Sequence, residues 1–179
     1  MNRINKEILY EDLNKSNLEF FDEFKAEFSK VLDSGWFILG RNVKTFEEEF
    51  SKYCGSAYCS GVASGLDALT IALLTFSFPG GSEVIVPANT YIATIISIIN
   101  AGLKPVLVDP DIRTYNIDPS KIGEKISSRT KAIVVVHLYG KCCEMYKIME
   151  IADHHKLRVI EDCAQAHGAS LDGRKAGTF

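Results

Sequence analysis

The chain has 179 residues, of which 46% are hydrophobic and 24% are charged, so it can bury one sizeable core and is not expected to be disordered. Its formal net charge of −3 argues against a nucleic-acid surface and against a polybasic membrane patch. Residues 1–7 carry no apolar signal core, and no later stretch has the charge-free length needed to span a bilayer, which predicts a cytoplasmic protein with small soluble ligands. The five cysteines form neither an even disulfide set nor a paired zinc pattern, so reduced thiols are expected.

Two helices are predicted in an N-terminal helical segment, residues 1–55. Apolar residues recur at helical spacing over 17–32 and place several phenylalanines on one stripe, for which core packing is expected. Gly35 should end this helix, and a second helix is predicted over 43–53. The connection at 36–40 reads Trp-Phe-Ile-Leu-Gly, and its two aromatic residues are expected to pin it to the core.

A larger domain is predicted over 56–179, in which apolar strands alternate with helices. The strands are expected at 59–63, 83–87, 105–109, 131–137 and 157–160, and the helices at 65–74, 92–100, 119–126 and 145–155. This alternation predicts a three-layer α/β/α fold with a mostly parallel sheet.

Two adjacent carboxylates, Glu161 and Asp162, follow the last predicted strand. Ligands of open α/β sheets bind at the carboxyl ends of strands, and side chains alternate along a strand, so only one of the two can face a pocket. We choose Asp162 because Gln165 follows it by three residues: a carboxylate and an amide on one edge can hold a heteroaromatic ring, as pyridoxal phosphate (PLP) requires. The alternative is that Gln165 and His167 are ordinary loop residues.

Two helix starts at the same edge suggest further contacts. Ser64, Gly65 and Leu66 open one helix, where free backbone amides and the helix dipole can bind phosphate; the alternative is a capped helix without a ligand. Tyr91 opens the next helix and could either stack on a flat cofactor or pack on its own helix end.

Histidines offer weaker signals. His137 lies at the end of a predicted strand on the ligand-facing edge, where it could contact cofactor or substrate, although hydrogen bonds within its own loop are the favoured interpretation. His154 and His155 are adjacent at a helix end and are poorly placed to bind one metal ion together, so no metal site is predicted.

The string Glu-Asp-Cys-Ala-Gln-Ala-His-Gly at 161–168 closely resembles the strand-end motif of the DegT/DnrJ/EryC1/StrS sugar aminotransferases, which are PLP enzymes of fold type I. Segments 64–69, 87–94 and 131–140 add to the resemblance in the same order. It covers nearly the whole chain from the Trp36 region to Gly177. It implies that 56–179 is most of a cofactor-binding large domain.

The resemblance also implies roles for individual residues. Asp162 would pair with the pyridine nitrogen, Gln165 would contact the ring hydroxyl, and Tyr91 would lie over the PLP ring. Gly65 and Leu66 would form the phosphate-binding turn. Many members carry threonine at the second of these positions, whereas Gly-Leu-Asp-Ala-Leu resembles the subgroup that acts on the 3-keto position of dTDP-linked 6-deoxysugars.

Substrate contacts are implied less specifically. Trp-Phe-Ile-Leu-Gly at 36–40 resembles a loop near the nucleotide-sugar site, which makes Phe37 and Leu39 candidate substrate contacts beside His137. In the family two subunits build each active site together, so a homodimer is expected.

The lysine that forms the Schiff base in this family is expected beyond Phe179, as is the smaller C-terminal domain. Lys175 is the nearest lysine, but it belongs to a Gly-Arg-Lys turn that is predicted to be exposed to solvent. No catalytic residue is therefore predicted within these 179 residues, and the chain by itself is expected to be inactive.

Three functions remain open at this point. The leading one is a nucleotide-sugar aminotransferase that takes an amino group from glutamate and delivers it to a dTDP-3-oxo-6-deoxyhexose. The second is a sugar dehydratase of the same family, in which histidine replaces the lysine. The third is a non-catalytic chain that binds only cofactor or a partner; a dinucleotide-dependent dehydrogenase is disfavoured because no Gly-x-Gly-x-x-Gly opens a predicted helix.

Overall fold

The structure is a computed structural model that describes Leu9 and residues 11–179, so the prediction for residues 1–7 lies outside the described residues. The chain divides into two compact units, Met1–Thr45 and Phe46–Phe179. The boundary predicted after residue 55 lies further along the chain. None of the helices in the described part of the chain combines the length and the apolar composition that a membrane span requires.

The first unit is helical. Helix α1 spans Leu13–Asn17, and a 3-10 turn at Leu18–Phe20 leads into α2 at Phe21–Ser34. Helix α2 ends at Gly35, which adopts a left-handed conformation with φ of 63° and donates its N–H to the carbonyl of Leu32, as predicted. Helix α3, at Arg41–Cys54, crosses the boundary between the units.

The phenylalanine stripe of α2 is not part of a core within the described chain. Phe24 is 53% exposed and Phe28 is 63% exposed, and Trp36 and Phe37 in the following loop are also exposed. The predictions that the stripe packs in a core and that the loop is pinned to one are therefore wrong for this chain. Helical periodicity correctly predicts an amphipathic helix, but it does not say which surface covers the apolar face.

The second unit contains the sheet and its helices. Its strands are β1 (Glu83–Pro87), β2 (Lys104–Val108), β3 (Thr130–Val136) and β4 (Arg158–Asp162), and its helices are α4 (Gly65–Thr75), α5 (Ile92–Asn100), α6 (Pro119–Ile122) and α7 (Met145–His155). The four strands are parallel and lie in the order β2-β1-β3-β4. A short antiparallel hairpin of β5 (Ser170–Leu171) and β6 (Arg174–Lys175) follows.

Helices cover both faces of this sheet. On one face Ile122, Met145 and Ile148 of α6 and α7 join the core, and on the other Leu73 of α4 and Ile98 of α5 do so. The central strands β1 and β3 are buried on both faces, which explains their continuous apolar runs. The three-layer α/β fold with a parallel sheet is confirmed.

Two local predictions need correction. No strand forms at 59–63. The N–H of Gly61 donates to the Glu47 carboxylate over 2.6 Å, so its hydrogen-bond partner is a side chain and not a neighbouring strand. The helix expected over 119–126 is the short α6 followed by a 3-10 turn at Gly123–Lys125, because glycine favours helix less than other residues do.

Candidate active site

The carboxyl ends of the parallel strands lie at one edge of the sheet, and α4 and α5 begin at that edge. Helix α5 follows the end of β1 directly. For α4, the Arg158 guanidinium at the start of β4 lies 5.7 Å from the ring centroid of Phe76 at the end of the helix. An 11-residue helix and a 5-residue strand each span about 16 Å, so the start of α4 and the end of β4 share an edge.

Asp162 ends β4 at this edge and is held by two hydrogen bonds. The Thr94 hydroxyl of α5 donates to its Oδ2 over 2.9 Å, and the N–H of Ala164 donates to its Oδ1 over 3.1 Å. A carboxylate has about four acceptor positions, so two remain for a ligand. The side chain is half-buried, which fits a group that is anchored on one side and accessible on the other.

Glu161 points to the opposite face, as the alternation of side chains along a strand predicts, and its side chain is only 6% exposed. Its Oε2 accepts from the His137 ring over 3.0 Å and from the N–H of Gly177 over 2.8 Å, while its Oε1 accepts from the N–H of Phe179 over 2.7 Å. Burial alone would raise the pKa of this carboxyl, but these hydrogen bonds outweigh it and lower the pKa.

His137 lies fully inside the protein, with 0% exposure. Its Nδ1 accepts from the N–H of Cys143 over 3.0 Å, so Nε2 carries the hydrogen that is donated to Glu161. His137 therefore makes the local hydrogen bonds that were the favoured interpretation, one to the backbone of the following loop and one to the neighbouring strand β4. A fully buried ring cannot touch a ligand at the edge, which corrects the candidate substrate contact at His137.

The ligand atoms of His137, Glu161 and Cys163 lie within 4.8 Å of one another. A metal-bound histidine almost always donates its second ring N–H to an acceptor, whereas Nδ1 of His137 faces a donor. Burial, with Glu161 and Asp162 nearby, raises the pKa of the Cys163 thiol to about 12. These groups favour a hydrogen-bonded cluster over a metal site.

Gln165 follows the strand end and is tied to the neighbouring loop. Its Oε1 accepts from the N–H of Tyr139 over 2.8 Å, which leaves the amide nitrogen as the end that can donate to a ligand. Tyr139 itself adopts a left-handed conformation with φ of 55°, in the turn after β3. The amide of Gln165 therefore has a defined orientation without any ligand.

The start of α4 is capped but open. Ser64 accepts from the N–H of Asp67 over 3.1 Å and donates to its carboxylate over 2.8 Å. The N–H groups of Gly65 and Leu66 are among the first-turn donors for which a helix has no internal partner. A Cβ added at Gly65 would meet nothing within 4 Å, so the space beside this turn is free.

Three other predicted residues are exposed. Tyr91, immediately before α5, is 75% exposed, so it does not pack on its own helix end. Phe37 and Leu39 are exposed in the first unit, where Phe37 lines a cavity of about 570 Å³ together with Trp36 and Arg41. The substrate contacts proposed for Phe37 and Leu39 stay predictions.

Residues 20–179 match the sequence model of the DegT/DnrJ/EryC1/StrS aminotransferase family. The chain belongs to this family.

Curated members support the assignment. The chain is 55% identical to dTDP-3-amino-3,6-dideoxy-alpha-D-galactopyranose transaminase of Aneurinibacillus thermoaerophilus, over 94% of this chain and 46% of that protein. It is 42% identical to dTDP-3-amino-3,4,6-trideoxy-alpha-D-glucose transaminase of Streptomyces venezuelae, over 93% of this chain and 44% of that protein. The chain thus spans about half the length of the curated relatives it matches.

Solved family structures share the fold. DesV of S. venezuelae aligns with a TM-score of 0.90 at 42% identity, over 94% of this chain and 45% of that one. NtdA of Bacillus subtilis with bound PMP aligns at 0.86 and 37% identity, over 96% and 40%. GDP-4-keto-6-deoxymannose-3-dehydratase with a trapped PLP-glutamate species aligns at 0.80 and 37% identity, over 88% and 42%. The predicted fold type I large domain is confirmed.

Two contacts of the second unit were not predicted from the sequence. Thr94 lies inside a segment that resembles the family, but only the fold shows that its hydroxyl reaches Asp162. Lys175 was predicted to lie in an exposed turn, but it lies in β6 and is partly buried. Its Nζ is 3.6 Å from the centroid of the Tyr53 ring and donates to the Tyr53 carbonyl. The hairpin turn is formed instead by Asp172 and Gly173, which both adopt positive φ.

The end of α3 supports the loop after Asp162. The Phe50 ring contacts the His167 ring edge-on at a centroid distance of 5.8 Å. Gly168 has a φ of 84°, and a Cβ there would lie 2.6 Å from the Tyr53 hydroxyl, so a larger residue would be strained and would have to displace the Tyr53 side chain. Helix spacing predicted α3, but no sequence signal linked it to a loop more than a hundred residues away.

Proposed function

We propose that the full-length protein carrying these residues is a PLP-dependent nucleotide-sugar aminotransferase. It transfers an amino group from glutamate to a dTDP-3-oxo-6-deoxyhexose, and this chain supplies most of the cofactor-binding domain. The observation that carries the proposal is the Asp162 carboxylate, half-satisfied at the sheet edge where α4 begins with free amides. The relative from A. thermoaerophilus, named for a dTDP-3-amino sugar, supports this choice of substrate.

The residues at the edge fit PLP. Asp162 retains acceptor positions for the hydrogen of a protonated ring nitrogen, and the turn at Gly65 and Leu66 offers amides and free space for a phosphate. Tyr91 is exposed for stacking on a flat ring, and Gln165 can donate to a ring oxygen. When bound, PLP supplies an electron sink for the bond that breaks at the amino acid's α-carbon.

We assign the lysine that links covalently to the cofactor and moves protons to a position beyond Phe179. Lys175 is a poor candidate, because its ammonium is occupied by the ring and the carbonyl of Tyr53. The active protein is proposed to be a cytoplasmic homodimer. The exposed apolar stripe of α2 and the exposed loop at 36–39 support an assembly, and all five cysteines are free thiols, as a reducing compartment favours.

A family dehydratase is the second candidate. It is favoured by the likeness to GDP-4-keto-6-deoxymannose-3-dehydratase, which extends over 88% of this chain. Both reactions use the same cofactor domain, so the residues described here do not separate them. The two reactions are distinguished by the residue at the Schiff-base position, which is lysine in the aminotransferase and histidine in the dehydratase.

The deciding experiment supplies the full-length protein with PLP, glutamate and a dTDP-3-oxo-6-deoxyhexose, and follows the products by mass spectrometry. We expect an aminated sugar and an equal amount of 2-oxoglutarate. A UDP- or GDP-linked 3-oxo sugar serves as the control for the nucleotide. A dehydrated sugar without amine would favour the dehydratase, and no turnover with cofactor bound would favour the non-catalytic alternative.

A further inference from the structure

A row of hydroxyl groups connects the start of α5 to the carboxylate at the end of β4. The Thr90 and Thr94 hydroxyl oxygens are 2.9 Å apart, and the Thr94 hydroxyl is 2.9 Å from Oδ2 of Asp162. Thr94 is only 1% exposed, and its own carbonyl accepts from the buried Ser97 hydroxyl over 2.7 Å. The Thr94 side chain therefore has a defined place in the helix and no access to solvent.

The direction of these hydrogen bonds follows from the chemistry of the groups. An ionised carboxylate can only accept, so the Thr94 hydroxyl donates its single hydrogen to Asp162. Thr94 can then only accept from Thr90. The N–H of Ala164 occupies the other oxygen of Asp162, so each carboxylate oxygen receives one bond and the carboxylate plane cannot rotate freely.

We propose that Thr94 is a positioning residue, whose hydroxyl orients the Asp162 carboxylate toward the protonated ring nitrogen of the cofactor. This inference rests on the proposed function, in which Asp162 receives that hydrogen. Thr94 acts through Asp162 and touches neither cofactor nor substrate. Charge-assisted hydrogen bonds depend on alignment, so loss of the hydroxyl weakens the pairing without removing the charge.

The first test compares three variants of the full-length PLP-loaded protein. Thr94→Val removes the hydroxyl at nearly constant shape, Thr94→Ser keeps it, and Thr75→Val removes a helix hydroxyl that bonds only to the carbonyl of Ala72. The rate at which glutamate converts the bound cofactor is followed by absorbance under single-turnover conditions. We expect Thr94→Val to slow it about tenfold at an unchanged half-saturating concentration of glutamate, with Thr94→Ser and Thr75→Val within about twofold of wild type.

The second test separates positioning from a merely structural role by a double-mutant cycle with Asp162→Asn. If Thr94 acts through the carboxylate, Thr94→Val slows the reaction much less in the Asp162→Asn background than in wild type. A titration of the cofactor-free protein with PLP gives a readout that does not depend on turnover, and Thr94→Val should weaken PLP binding in the wild-type background and much less in the Asp162→Asn background. Equal factors in both backgrounds, or no rescue by serine, would overturn the role of Thr94 and leave the proposed function intact. A wild-type rate in Asp162→Asn alone would instead overturn the cofactor role of Asp162.

Discussion

Glu161 and Asp162 are neighbours in sequence and have the same functional group, yet their surroundings differ. The Glu161 carboxylate accepts from three donors, one from a side chain and two from the backbone, and is shielded from solvent. The Asp162 carboxylate accepts from two donors and is half-buried at the edge where two helices begin. The hydrogen bonds of Glu161 are supplied by the protein, whereas Asp162 retains acceptor positions for a ligand.

The number of hydrogen-bond donors and the exposure of a carboxylate at a strand end separate a role in stability from a role in function. A saturated, buried carboxylate holds chain segments together, because its removal leaves buried donors without partners. When a carboxylate is anchored but keeps free acceptor positions, removing its charge should change the free energy of unfolding little and weaken ligand binding much more. Each prediction below tests one side of this contrast.

The largest effect is expected from Asp162→Asn. The amide keeps the size of the side chain and one oxygen for Thr94, and its NH2 group faces the N–H of the exposed Ala164, which can bond to water instead. The substitution removes the negative charge that pairs with a protonated ring nitrogen. Transamination by the full-length protein should fall by about a hundredfold or more, with little change in the free energy of unfolding. Steady-state rates and urea denaturation check both parts, and near-wild-type turnover would refute the role of Asp162.

Glu161→Gln should have the opposite profile. Glutamine keeps one oxygen acceptor and replaces the other with an NH2 group, which would face either the N–H of Phe179 or the His137 ring and the N–H of Gly177, all of which are donors themselves. The expected loss is about 1–3 kcal/mol of unfolding free energy, measured by urea denaturation. Asp162→Asn is the matched control one residue away, and an equal loss in both variants would contradict the contrast.

Gly65→Val tests the phosphate turn on the ligand side. The open space around this residue means that valine should be tolerated by the fold, while its branches occupy the place of a phosphate. PLP affinity should fall about tenfold, and Leu66→Thr should have a smaller effect. Gly123→Val adds the same side chain at another open glycine and should leave affinity unchanged. Equal, negligible effects in a cofactor titration would show that the turn is only a helix cap.

Gln165→Ala should weaken PLP binding about fivefold, because one neutral hydrogen bond contributes about 1 kcal/mol. The N–H of Tyr139 loses its partner but lies at an exposed turn, so water can replace the amide and stability should hardly change. A cofactor titration and a thermal melt test the two halves. A large loss of stability with unchanged affinity would place Gln165 on the structural side of the contrast.

Local sequence signals predicted most of the second unit, because its elements are determined by short patterns. The alternation of apolar strand segments with helical segments correctly predicted the bounds of α5 and α7. The contrast between Glu161 and Asp162 followed from the alternation of side chains along a strand. The sequence could not show the partners: the bonds from Thr94 to Asp162 and from Phe179 to Glu161 join segments that only the fold brings together. Likewise, the stripe of α2 predicted a helix without saying what covers it.

The smallest effect concerns the pH dependence of Glu161. Because its hydrogen bonds hold its pKa below the usual value of about 4.3, the unfolded chain takes up the proton first as the pH falls. The stability that Glu161 contributes is therefore complete above about pH 4.3 and is lost as the pH falls through the lower folded-state pKa. The difference in unfolding free energy between wild type and Glu161→Gln should be constant from about pH 7 to pH 5 and shrink below about pH 4. Urea denaturation of both proteins at several pH values measures this difference, and one that grew on acidification would mean that Glu161 is held in its protonated form.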